Sequence, residues 1–208
     1  MKEILIETGS CLVAAMLLMI WHEVIRLIVY ACCQRSVHCF RTTPWKVWRY
    51  IDPIGLILSL TSCVPISKPY FYRVRDPITN RRLGVAGLVS LLMVFAGSIL
   101  VLRFGYGGVK GLDHLVIHHW WQSIAPIFVQ YLAMLSFGMF VANLFPVSTF
   151  GMGLLIAGTS PTGYLGMLKV DGTVKLIFVL VLLFVSVQPP SGSSGAVPVE
   201  FHFSNSIQ

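Results

Sequence analysis

The stretch Trp21-His22-Glu23-Val24-Ile25-Arg26 places three ionisable side chains inside an apolar run that reaches from Ile4 to Cys33. A run of that length spans a bilayer as a helix, which needs about 20 residues. An ionisable group in the middle of such a span costs roughly 2.5 kcal/mol or more, so it is expected to be functional or paired with a neighbour. His-Glu followed two residues later by a basic residue lies one substitution from His-Glu-x-x-His. That motif sets two imidazoles at i and i+4 on one helix face to hold zinc, with the glutamate as general base. Here the second imidazole position is Arg26, and a guanidinium neither deprotonates in a protein nor offers a lone pair to a metal.

The rest of the chain supports a membrane setting. Of its 208 residues 56% are hydrophobic and 11% charged, and the mean hydropathy is +0.79, whereas a soluble domain carries about 25% charged residues. These values predict an all-α integral membrane protein with one domain, residues 1–188, and a flexible Pro/Ser/Gly-rich tail, residues 189–208. The N-terminal run leads into His22 and Glu23 with no small-residue cleavage pattern, so it is not expected to be a removable signal peptide. In a soluble chain the net charge of +7 would suggest nucleic acid. No nucleic-acid motif, phosphate loop, Ser-His-Asp or Cys-His arrangement is visible, and no nucleic-acid partner is expected. The charge is assigned to cytoplasmic loops and to the surface of the lipid bilayer.

Four transmembrane helices are predicted, over about Ile4–Cys33, Leu83–Leu102, Ile124–Val147 and Thr173–Val187. Between the first two, Gln34–Tyr50 is basic and aromatic. Leu56–Ile66 is apolar but too short to cross as a helix, so it is expected to be re-entrant, interfacial or strand-containing. Gly84, Ala86, Gly87 and Ser90 form a small-residue face suited to close helix packing. Ser148–Asp171 is glycine-rich and expected to bend or break. Nine Lys and Arg residues fall between Gln34 and Arg82, against Asp52 and Asp76. The positive-inside rule therefore puts segment 34–82 in the cytoplasm and both termini outside.

Four stretches, in order, resemble the site-2 proteases, intramembrane zinc metalloproteases, in their compact bacterial and archaeal form. His22-Glu23-Val24-Ile25-Arg26 is similar to their His-Glu-x-x-His, and Arg49-Tyr50-Ile51-Asp52-Pro53-Ile54-Gly55 to an Arg-His-Ile-Asp-Pro-Ile-Gly. Pro65-Ile66-Ser67-Lys68-Pro69, Asp76-Pro77, Arg81-Arg82 and Ala86-Gly87 resemble a Pro-Val-x-x-Asn-Pro, Asn-Pro-Lys-Arg and Ala-Gly-Pro series. Asn143-Leu144-Phe145-Pro146 to Gly151-Met152-Gly153 is similar to Asn-Leu-Leu-Pro followed by Leu-Asp-Gly-Gly. The resemblance implies a site-2-protease-like core in a bacterial cytoplasmic membrane.

It also implies which residues carry the chemistry and which have been lost. His22 is a residual metal ligand and Glu23 a residual general-base position, while Arg26 and Gly151 replace the other two ligands. A catalytic zinc wants three protein ligands and an open water position, so no cofactor is expected. An active zinc protease with a different ligand set is the alternative. Arg26 is expected to form an ion pair with Glu23 one turn away; otherwise it reaches to the interface. Asn143 and Pro146 mark a substrate or partner site, or else Asn143 satisfies carbonyls freed by Pro146. The expected function is that of a pseudoprotease binding a membrane protein through a transmembrane segment, as scaffold, regulator or subunit of a multisubunit complex. A transporter is disfavoured because no inverted repeat appears. A zinc site from Cys32, Cys33, Cys39 and His38 fits no known finger spacing, and free thiols are expected, as for Cys11 and Cys63. His114, His118 and His119, beside Asp113, are read with Trp120 and Trp121 as an interfacial segment.

Overall fold

The computed structural model describes residues 2–34, 50–69, 76–105 and 120–187, and these are helical with short connections. Among the described residues six helices follow in order: α1 (Lys2–Gln34), α2 (Pro53–Ser62), α3 (Pro77–Gly105), α4 (Trp120–Asn143), α5 (Gly151–Thr159) and α6 (Pro161–Val187). Three of them carry stretches long and apolar enough to cross a bilayer: Ile4–Cys33, Pro77–Gly105 and Ile124–Asn143. The chain is a membrane protein. Segments 35–49, 70–75 and 106–119 and the tail lie outside the described residues. With them lie His38, Cys39 and the histidines at 114, 118 and 119.

Both α2 and α3 begin at an Asp-Pro pair. Asp52 accepts from Ile54 N at 3.1 Å and Pro53 takes the first helical position. Asp76 accepts from Ile78 N at 3.2 Å and Thr79 N at 3.0 Å. The aspartate satisfies orphan donors of the first turn, and proline has no N–H to leave unpaired there. The Thr79 hydroxyl and these two amides hold the Asp76 carboxyl below its ordinary pKa.

The stretch anticipated as re-entrant, interfacial or strand-containing is therefore a helix through Ser62. Among the described residues there is no strand. The helix stops at Cys63, whose φ of 54° is left-handed and whose N–H returns to Leu58 O. Residues 64–69, neither helix nor strand, then run back across α2, where a methyl on Gly55 would lie 2.1 Å from Ile66 O, and Lys68 N donates to Tyr50 O at 3.1 Å. A methyl group on Gly138 of α4 would lie 2.2 Å from Cys63 O, so only glycine lets α4 approach this turn.

α3 packs along α1, α4 and α5. Its small residues split between two partners. Gly84 faces α5, where an added methyl would meet Gly151 O at 2.7 Å, and Gly87 faces α1. Backbones at such distances gain dispersion that bulky side chains would prevent. The main core joins Cys11, Ala14, Ala15 and Leu18 of α1 to Leu91 of α3 and Leu135 and Met139 of α4.

α4 ends at Asn143, and a tight turn carries residues 144–150 into α5. The glycine-rich stretch breaks once, at Ser160. Ser160 accepts through its hydroxyl from Gly163 N at 3.1 Å and so starts α6. The segment expected as a separate fourth span, Thr173–Val187, is the second half of this longer helix.

Candidate functional site

His22, Glu23 and Arg26 sit at the α1 face that meets α3, α4 and the 64–69 segment. They are 1%, 1% and 3% exposed. Helical geometry alone brings positions 23 and 26 together. Arg26 Nη1 donates to Glu23 Oε1 at 3.0 Å. The Ser67 hydroxyl reaches the same oxygen at 2.8 Å. His22 Nδ1 lies 3.3 Å from that oxygen and 3.3 Å from Ser67 Oγ. One carboxylate oxygen thus gathers a guanidinium, a hydroxyl and an imidazole. Charge-assisted bonds of this kind are about twice as strong as neutral ones, and a buried carboxylate without them would be costly.

The other imidazole nitrogen, Nε2, points toward α3, where a methyl on Gly87 would sit 2.9 Å away. Among the described residues Nε2 and Arg26 Nη2 are buried without a hydrogen-bond partner. Both side chains line a small cavity with Pro65, Ile66, Ser67, Ala142, Asn143, Thr149 and Phe150.

Asn143 closes one wall. Its Oδ1 accepts from Gly151 N at 2.9 Å and its Nδ2 donates to Met139 O at 2.8 Å. It thereby clasps the end of α4 to the start of α5, which is the arrangement that satisfies groups freed at a helix terminus. Pro146 is exposed in the following turn and does not line the cavity. A side chain at Gly151 would meet Leu88 Cγ at 3.3 Å and Gly84 O at 3.5 Å, so that position is closed against α3.

The wall is fixed from α6 as well. Asp171 accepts from Ser148 N at 2.8 Å and from the Ser148 hydroxyl at 3.0 Å, and pairs with Lys175. Partial burial raises the Asp171 pKa, but Lys175 and the two Ser148 bonds outweigh it and hold the carboxyl below its ordinary value.

The donor set does not fit a zinc ion. Three protein ligands are needed, and among the described residues no three His, Cys, Asp or Glu side chains stand together to supply them. The Arg26 guanidinium shares the cavity with the remaining imidazole, and a cation there opposes a divalent metal. Of the cysteines described, Cys11 is buried, Cys63 and Cys33 are partly so, and Cys32 is exposed. Arg82 Nη1 donates to Cys33 Sγ at 3.6 Å.

Of the residues singled out from the sequence, the fold brings His22, Arg26 and Asn143 to one cavity, and Glu23 is bonded to Arg26 beside it. Sequence reasoning did not single out Ser67 or Thr149, and it read Gly87 only as a packing residue. Ser67 stood inside the quoted Pro65–Pro69 stretch, but nothing local marks it as a partner for a side chain 44 positions earlier. Set beside known proteins, the chain matches no family model, no curated protein and no solved structure.

Proposed function

We propose that the chain is a catalytically inactive relative of the site-2 proteases that binds a transmembrane segment of a membrane protein partner. One observation carries this reading. The Arg26 guanidinium occupies the position of the second imidazole and bonds Glu23 at 3.0 Å in a buried setting. A general base tied to a guanidinium and a hydroxyl has no metal-bound water of lowered pKa to work on. The binding role is supported by the non-helical segment 64–69, whose Pro65, Ile66 and Ser67 line one cavity with Asn143. The second half of α6 supplies a fourth span. Segment 34–82 faces the cytoplasm, and both termini lie outside.

Metal analysis of the full chain purified in detergent tests the catalytic half. Zinc well below one equivalent is expected, together with no cleavage of a panel of single-span membrane proteins. Near-stoichiometric zinc that is lost in His22→Ala would overturn the proposal and establish a protease with another ligand set. Photo-crosslinking from a probe at position 66 in native membranes tests the binding half. A discrete membrane-protein adduct is expected, and lipid adducts alone would refute it.

A further inference from the structure

We propose that the outer groove along the first turns of α3 binds one anionic phospholipid. Arg81 and Arg82 hold its phosphate, and an acyl chain lies along Val85, Ala86 and Val89. The groove has a volume of about 420 Å³ and is completed by Ile78. It shares no residue with the cavity beside His22 and goes beyond the reading above.

Helix geometry supplies the layout. Residues 78, 82, 85 and 89 recur at the spacing of one helix face. Ile78, Arg81, Arg82, Val85 and Val89 are exposed and Ala86 is half-buried. α3 is long and apolar enough to cross the bilayer, and the two arginines stand near its start. At 1.5 Å per residue, Val89 lies about 10 Å along the helix from Arg82. One leaflet holds about 15 Å of hydrocarbon, so the groove follows an acyl chain through most of it while the arginines stay at headgroup level.

Charge supplies the selectivity. Among the described residues neither guanidinium has a carboxylate at ion-pair distance. Asp76, the acid nearest in sequence, is engaged in the α3 cap through Ile78 N, Thr79 N and the Thr79 hydroxyl. Arg82 Nη1 donates to Cys33 Sγ at 3.6 Å. Sulfur is a weak acceptor, so this contact steadies the side chain beside the end of α1 and leaves the rest of its fork free. That fork matches a phosphate with two parallel bonds. A zwitterionic headgroup would bring its own cation against two guanidiniums. A partner helix filling the groove would press both arginines into hydrocarbon, which is costly. By contrast, the groove of about 320 Å³ between α3 and α4 is lined by no charged side chain and gives no reason to prefer one headgroup over another.

Native mass spectrometry of the delipidated full chain in detergent is the test, with phosphatidylglycerol and phosphatidylcholine of identical acyl chains added in turn. One phosphatidylglycerol is expected to stay bound at collision energies that strip phosphatidylcholine. Each basic residue at an anionic lipid surface contributes about fivefold in binding. Arg81→Gln with Arg82→Gln should therefore weaken the phosphatidylglycerol complex about 25-fold, while Arg103→Gln, at the opposite end of α3, should leave it unchanged. Val89→Trp, which fills the groove and keeps both arginines, should weaken it as well. Equal retention of the two lipids, or an undiminished complex in the double variant or in Val89→Trp, would overturn the inference. Displacement of the lipid by millimolar inorganic phosphate would do the same and make the arginine pair a site for free anions. The comparison of headgroups uses the unaltered chain, so it decides the matter even if a variant fails to fold.

Discussion

Truncating Arg26 to leucine strips the Glu23 carboxylate of its guanidinium while leaving it buried. Breaking one side of such a pair costs roughly 3–5 kcal/mol, so Arg26→Leu is expected to melt well below the parent in detergent. Removing both charges with Glu23→Leu and Arg26→Met together should recover most of that loss, because well-packed apolar replacements of a buried pair are often neutral or stabilising. A double variant as unstable as the single one would show that the pair is not what holds this helix face. Gly87→Ala drives a methyl to 2.9 Å from His22 Nε2, while Gly97 has nothing within 4 Å. Overpacking costs about 1–3 kcal/mol, so Gly87→Ala should lower the melting temperature. Gly97→Ala should leave it unchanged or raise it, since alanine favours the helix by about 1 kcal/mol. His22, Glu23 and Arg26 were legible in the sequence because one helical turn relates them. Gly87 was legible only as a packing residue, since its role against His22 depends on how two distant helices cross.

At the scale of elements, the Asp-Pro pairs at 52–53 and 76–77 announce the starts of α2 and α3, and the short apolar stretch at 56–66 obscured the first of them. Length argued against a crossing helix, but the N-cap argues for a helix of some kind, and the cap prevailed. The break between α5 and α6 was anticipated from glycine content, though its position at Ser160 was set by a hydroxyl cap rather than by a glycine. The Asp171–Ser148 contact is a further feature that local pattern could not supply. Because the Asp171 pKa is depressed in the fold, its stabilising effect is complete above the unfolded value of about 3.9 and is lost as pH falls through the folded value. Melting curves of the wild type and Asp171→Asn should therefore differ at pH 7 and converge only once the pH falls below the depressed folded value. A gap that persists at low pH would show that the contact works through packing and not charge.

For the whole molecule, composition was enough to establish a membrane protein, because three helices are both long and apolar. The direction of the crossings rests on charge distribution alone. Exposed Cys32 lies at the end of α1, beside the basic segment, and so reports on direction. In a variant keeping only that thiol, a membrane-impermeant maleimide should label inverted vesicles and not intact cells. The reverse pattern would place segment 34–82 outside and invert the proposed topology.

Asp171 grips Ser148 by both its amide and its hydroxyl, and the next two residues, Thr149 and Phe150, form part of the cavity wall. The last helix and the pocket are consequently yoked. A displacement of α6 near Asp171 is therefore expected to shift the cavity wall beside His22.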